Sequence, residues 1–252
     1  LIKLAGSGLS SDEYAAFRPE EVKLAADESH RLSRPITIHA RSRQSVRYAA
    51  DADVDWIMHA SYMDDATLDL VLKKEIPICP AMTLLVNMLE ADDVGISDLP
   101  PGVRRHVEEE RDSAIGILSK FHQSGGTLIC GSETGFAMTP YGEWHTREMG
   151  LFVKHLGLSP MEAILCMTRN SAFTLPNYRD KIGTLTPGKF ADLLVVNGAP
   201  HENIEVLHDP SNIQTIMQGG KTITPWRPVD QKRTRHGFEK VHLYTRKPLT
   251  RM

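Results

Sequence analysis

Short apolar runs alternate with amphipathic stretches along the first two-thirds of the chain, and this alternation constrains the fold more than any other feature. The runs fall at 1–5, 35–39, 54–59, 76–79 and 127–131, each flanked by Gly, Pro or charge. Helical patterns lie between and after them, at 19–32, 64–74, 103–124, 143–155 and 159–168. Strands that recur with a helix-length crossover between them are parallel, because a hairpin turn cannot join parallel neighbours. Local signals agree. Pro19 is followed by Glu20 and Glu21, and Ser159-Pro160-Met161-Glu162 has capping-box spacing with proline in the first turn. After residue 181 the texture changes. Gly183-Thr184-Leu185-Thr186-Pro187-Gly188-Lys189 is turn-rich, 191–196 reads as a strand, and 213–217 and 221–223 read as a hairpin about Gly219-Gly220. The expected division is therefore an α/β part over 1–181, a small all-β part over 182–226 and a basic tail over 227–252.

Composition narrows the function classes. With 252 residues, 41% hydrophobic and 24% charged, the chain can bury a sizeable core. A net charge of -3 gives no global attraction to nucleic acid or anionic lipid, and no apolar window is long enough for a membrane helix. Cys79, Cys130 and Cys166 are far apart, odd in number and set in apolar runs. That excludes a disulfide framework and points to buried thiols in a reducing, cytoplasmic compartment.

The chemistry should sit at the C-terminal ends of the strands, where the βα loops begin. One run ends in His39, a second in His59, and a third is followed by Ser132 and Glu133, while Lys3 lies inside the first. Neutral imidazoles suit zinc-like ions, and a carboxylate beside them can bind metal or take a proton from bound water. Any one of these residues alone would be a structural side chain; their joint pattern is what points to a site. Arg41, two residues after His39, could present its guanidinium fork to a substrate carboxylate or pair with a neighbouring acid. Tyr62, after His59, could contact substrate or simply pack. The Met- and Leu-rich segment 81–101 could form a lid or a surface excursion.

Longer stretches carry a family resemblance. Ile182-Gly183-Thr184-Leu185-Thr186-Pro187-Gly188-Lys189-Phe190-Ala191-Asp192-Leu193-Leu194-Val195 resembles the turn with which amidohydrolase-superfamily chains leave their barrel. Gly157-Leu158-Ser159-Pro160-Met161-Glu162-Ala163 followed by Thr168-Arg169-Asn170-Ser171-Ala172 is similar to that superfamily's helix pair, and Ile38-His39-Ala40 and Ile57-Met58-His59 to its ligand strands. Ile2-Lys3-Leu4-Ala5-Gly6 resembles the strand whose lysine is carboxylated in many members. The nearest subgroup is the imidazolonepropionase-like and Xaa-Pro or Xaa-Arg dipeptidase-like hydrolases. The resemblance implies a (β/α)8 barrel, of which this chain supplies strands 4–8, with the C-terminal half of a β-sandwich. It further implies two divalent metal ions of the zinc type, held by Lys3, His39, His59 and Glu133. Glu133 would act as proton shuttle in hydrolysis of a small amide, carbamate, urea or dipeptide-like substrate by a homo-oligomer.

Two departures accompany it: Glu133 stands where aspartate is usual, and no H-x-H pair occurs in the chain. The expectation follows that a preceding segment of ~150 residues, or a partner chain, supplies H-x-H and the remaining strands. Residues 1–252 alone should then be poorly folded and inactive. The alternatives are a mononuclear heterocycle deaminase, disfavoured by Lys3, and a catalytically inactive binding protein.

Overall fold

Four parallel strands lie side by side in chain order: β1 (Ile2–Ala5), β2 (Ile36–Ala40), β3 (Trp56–His59) and β4 (Ile78–Cys79). The structure is a computed structural model that describes residues 1–8, 15–95, 97–135, 138–139 and 144–223. Its register aligns Ala5 with His39, His39 with Met58, and Met58 with Cys79. The strand expected at 127–131 is reduced to an isolated parallel bridge between Leu128 and Ile78. Two hydrogen bonds hold it, from Ile78 N to the Thr127 carbonyl at 3.0 Å and from Ile129 N to the Ile78 carbonyl at 2.9 Å. The ladder stops because β4 runs directly into Pro80, which has no N–H to extend it.

The crossovers are helical: α1 (Pro19–Arg31), α2 (Arg43–Asp51), α3 (Asp65–Lys73), α4 (Thr83–Asp93), α5 (Pro101–Gln123), α6 (His145–Leu151) and α7 (Pro160–Leu165). α6 and α7 each continue into a wider π-helical turn, Phe152–Leu156 and Cys166–Asn170. Pro19 occupies the first turn of α1, whose Glu21 carboxylate accepts the Arg18 N–H, and the capping box at Ser159 and Glu162 forms as its spacing predicts. Two helices depart from the sequence reading. α2 is absent from it, although Ser42 caps the helix and Val46, Ala49 and Ala50 give it a buried stripe. The segment 81–101 is no surface excursion over most of its length: it forms α4, whose Leu85 and Leu89 pack with Leu99 and Val107.

Period-two alternation divides the sheet into two faces. One face, carrying Ile36, Ile38, Ala40, Ile57 and Ile78, packs with Leu128 against Val22 and Ala26 of α1, Val46 and Ala49 of α2, Leu68 of α3, and Leu118 and Phe121 of α5. Each such large side chain contributes about 1.5–3 kcal/mol on burial. On the other face Trp56, Cys79 and Ile129, with Met58 beside them, form a separate small cluster. Thr37, His39 and Lys3 share that second face by register, whereas His59 aligns with Ala40 and ends β3 where the backbone turns to φ 75°.

Three antiparallel strands form the second sheet: β5 (Leu193–Val196), β6 (Ile213–Gln218) and β7 (Lys221–Thr222). β6 and β7 turn through Gly219 at φ 55° and Gly220 at φ 78°, the left-handed pair that a tight hairpin requires. All three cysteines are free. Among the described residues no helix is long and apolar enough to cross a membrane. The basic tail 227–252 lies outside the described residues.

Candidate metal centre

β2 delivers His39 one residue before its end, and β3 delivers His59 as its last residue, where the chain bends sharply. His59 and Ala60 have φ of 75° and 58°, and Glu133 has φ 51°. Left-handed backbone costs a non-glycine residue about 1–2 kcal/mol, so other contacts must hold it. Ala60 N donates to the Ala40 carbonyl at 2.9 Å and Tyr62 N to the Arg41 carbonyl at 3.0 Å, tying the loops after β2 and β3 together. The segment after β1 closes over them. Gly6 N donates to the His39 carbonyl at 2.8 Å, and Arg41 N donates to the Ser7 hydroxyl at 2.9 Å.

His39, His59 and Glu133 converge so that their ligand atoms lie within 4.8 Å of one another. The imidazoles meet edge to face, with centroids 4.6 Å apart at 73°. His59 is fully buried; its Nδ1 lies 3.2 Å from the Pro80 carbonyl, which leaves Nε2 turned toward Glu133 Oε1 at 3.5 Å. His39 Nε2 lies 3.2 Å from the Gly8 carbonyl. Burial, followed by the neighbouring His59, lowers His39 to about 4. Burial, followed by the Arg41 charge, also holds His59 below its ordinary value, so both rings are neutral near pH 7. Burial alone would raise the Glu133 carboxyl. Its contact with His59 and the charges around it outweigh burial and hold it low. With His59 neutral, Arg41 is the lasting positive charge on the carboxylate, its Nη2 3.5 Å from Oε2.

This donor set fits a divalent cation. His59 Nε2 and Glu133 Oε2 are buried without a hydrogen-bond partner, an arrangement costly enough that a native site normally satisfies it. Two neutral imidazoles and a carboxylate are zinc-type ligands, and the Nδ1 contact to a backbone carbonyl is how a metal-binding histidine is commonly oriented.

The amidohydrolase family model matches residues 5–223. The chain belongs to the amidohydrolase family. Its relatives include ochratoxinase of Aspergillus niger, 26% identical over 236 residues that make up 90% of this chain and 48% of that protein. A shorter stretch of 75 residues, 30% of this chain, is 32% identical to imidazolonepropionase of Geobacillus kaustophilus, of which it covers 18%. The chain thus spans about half the length of the first of these relatives. The crystal structure of the Aspergillus niger ochratoxinase superposes with a TM-score of 0.78 at 25% identity, over 88% of this chain and 50% of that one. A Xaa-Pro dipeptidase with methionine bound in its active site gives 0.77 at 24% identity, over 88% and 54%.

The other sequence candidates take different places around these three residues. Lys3 pairs with Thr37 on the same sheet face as His39, but its side chain is exposed. Tyr62 is half-buried one turn beyond His59. Of the two roles weighed for Arg41, the structure has the ion pair. The guanidinium is buried and engages two acids, Glu133 in the loop after 127–131 and Glu110 on helix α5. Glu110 and Ser61 were missing from the sequence reading, since Glu110 sits 69 residues from Arg41 inside a run of surface charges. His145, the first residue of α6, has its Nδ1 3.1 Å from the Ser132 hydroxyl.

Proposed function

We propose that this protein is a metal-dependent hydrolase of a C–N bond in a small amide, carbamate or urea, dipeptides included. The observation that carries the reading is the convergence of His39, His59 and Glu133 beside the ends of parallel strands, with His59 Nε2 left unpartnered. Membership of the amidohydrolase family supports the bond class. On this reading the parallel sheet is part of a (β/α)8 barrel and the antiparallel sheet part of a β-sandwich.

A bound divalent cation would supply Lewis-acid polarisation of the scissile carbonyl and an acidified water. The chain's own residues do the rest. His39 and His59, neutral near pH 7, hold the cation through ring nitrogens. Glu133, kept ionised beside Arg41, takes the proton of the attacking water and delivers it to the leaving nitrogen. Glutamate reaches one methylene further than the aspartate usual at this position. Lys3, carboxylated, would offer oxygen ligands to a second zinc-type ion, and the remaining ligands would come from beyond the described residues.

The test is hydrolysis of a panel of small amides, carbamates and ureas by the naturally occurring protein, with ochratoxin included because a relative is named for it. Amine release that stops in chelator and returns with zinc supports the proposal. Full turnover in chelator, or ammonia released from a heterocycle in place of amine, would reject it.

A further inference from the structure

We propose that helix α5 is a positioning clamp for this centre, acting through Glu110 and Ser113 on Arg41 and the 59–61 turn and, by way of Arg41, on the Glu133 carboxylate. The proposal rests on the metal-centre reading above.

The outer side of α5 faces solvent, and Glu109 beside Glu110 is exposed. Glu110 is nonetheless 1% exposed, a costly place for a carboxylate unless every charge around it is matched. Its Oε1 accepts from both Arg41 Nη1 and the Ser61 hydroxyl, the latter at 2.8 Å. Ser113, three residues on and therefore on the same helix face, donates its hydroxyl to the Ser61 carbonyl at 2.8 Å. Helix α5 thus grips residue 61 by side chain and backbone and residue 41 by its guanidinium. Those positions lie two residues after His59 and His39.

The grip has a reason. His59 and Ala60 sit in left-handed backbone that must be held from outside. Arg41 has further contacts: its N–H donates to the Ser7 hydroxyl, its carbonyl accepts from Tyr62 N–H, and its second guanidinium nitrogen lies 3.5 Å from Glu133 Oε2. One rigid residue therefore relates the loops after β1, β2 and β3 to Glu133. A pair that served packing alone would require none of this connection to the ligand atoms.

The test compares Glu110→Gln, Glu110→Asp and the double variant Arg41→Met/Glu110→Leu in the naturally occurring protein. Zinc affinity is measured by chelator competition alongside kcat, KM and thermal unfolding. Glu110→Gln and the double variant should bind zinc about 10- to 100-fold more weakly. Both should lose kcat with KM little changed, and Glu110→Asp should recover part of the loss. The double variant removes both members of the Arg41–Glu110 pair together, so neither is left buried without the other, and it should keep a cooperative unfolding transition while Glu133, without its Arg41 partner, is loosened. Wild-type zinc affinity in the double variant would overturn the clamp, and so would failure of that variant to fold, which would make the pair structural. A wild-type protein that binds no zinc would reject the metal reading itself; equal binding by all four proteins would reject the clamp alone.

Discussion

Glu133 shows how a single side chain can be read twice. Its place after an apolar run made it a candidate acid from sequence, and the structure puts it beside His39 and His59 with one oxygen unpartnered. As the proton shuttle it should matter to turnover more than to binding. Glu133→Gln should lower kcat by about 10²- to 10⁴-fold with little change in KM, and a variant turning over at the wild-type rate would move the base elsewhere. The family's turn segment makes a second residue-scale claim. Gly183 has φ 84°, and a Cβ there would lie 2.9 Å from the Ala172 Cβ and 3.0 Å from the Thr168 carbonyl oxygen. Gly183→Ala should therefore destabilise by at least ~1–2 kcal/mol, from backbone strain alone. Chemical denaturation checks this, and an unchanged midpoint would show that the segment can shift.

Elements were legible where local chemistry decided them. The capping box at Ser159 and the paired glycines at 219 and 220 specify their structures within a few residues, and both form. His39 and His59 were legible because each closes an apolar run. What the sequence could not show is long-range. Pro80 curtails the ladder that 127–131 would have joined, and Glu110 finds Arg41 only once α5 has packed. Glu148 of α6 is another such case. It is fully buried and caps α4, accepting Met82 N and Thr83 N at 2.8 Å each and the Thr83 hydroxyl as well. Burial outweighs these donors and raises its carboxyl from the ordinary 4.5 to about 7. The folded state then holds a proton that the unfolded chain releases, so this stabilisation is complete below about 4.5 and is lost as pH rises through about 7. Thermal unfolding should show stability falling across that window, by up to ~3 kcal/mol from this group. Glu148→Gln should flatten the dependence; an unchanged slope in that variant would assign it to other groups.

At the scale of the whole molecule, the parallel sheet sorts its side chains into a helix-facing apolar core and an opposite face with Thr37, His39 and Lys3. That sorting follows from period-two alternation, which accounts for the core and for His39, whereas His59 has the parity of Ile57 and sits at the left-handed strand end. The outer edge of β1 has no strand partner among the described residues, and Lys3 on that strand is exposed. The central claim is that His39 and His59 hold a divalent ion on which hydrolysis depends. It is tested most directly by elemental analysis of the naturally occurring protein beside its His39→Ala and His59→Ala variants, with amide hydrolysis measured on the same samples. The account predicts zinc-type metal in the wild type, and loss of most of it together with hydrolysis in each folded variant. Wild-type metal content and turnover in both variants would contradict it.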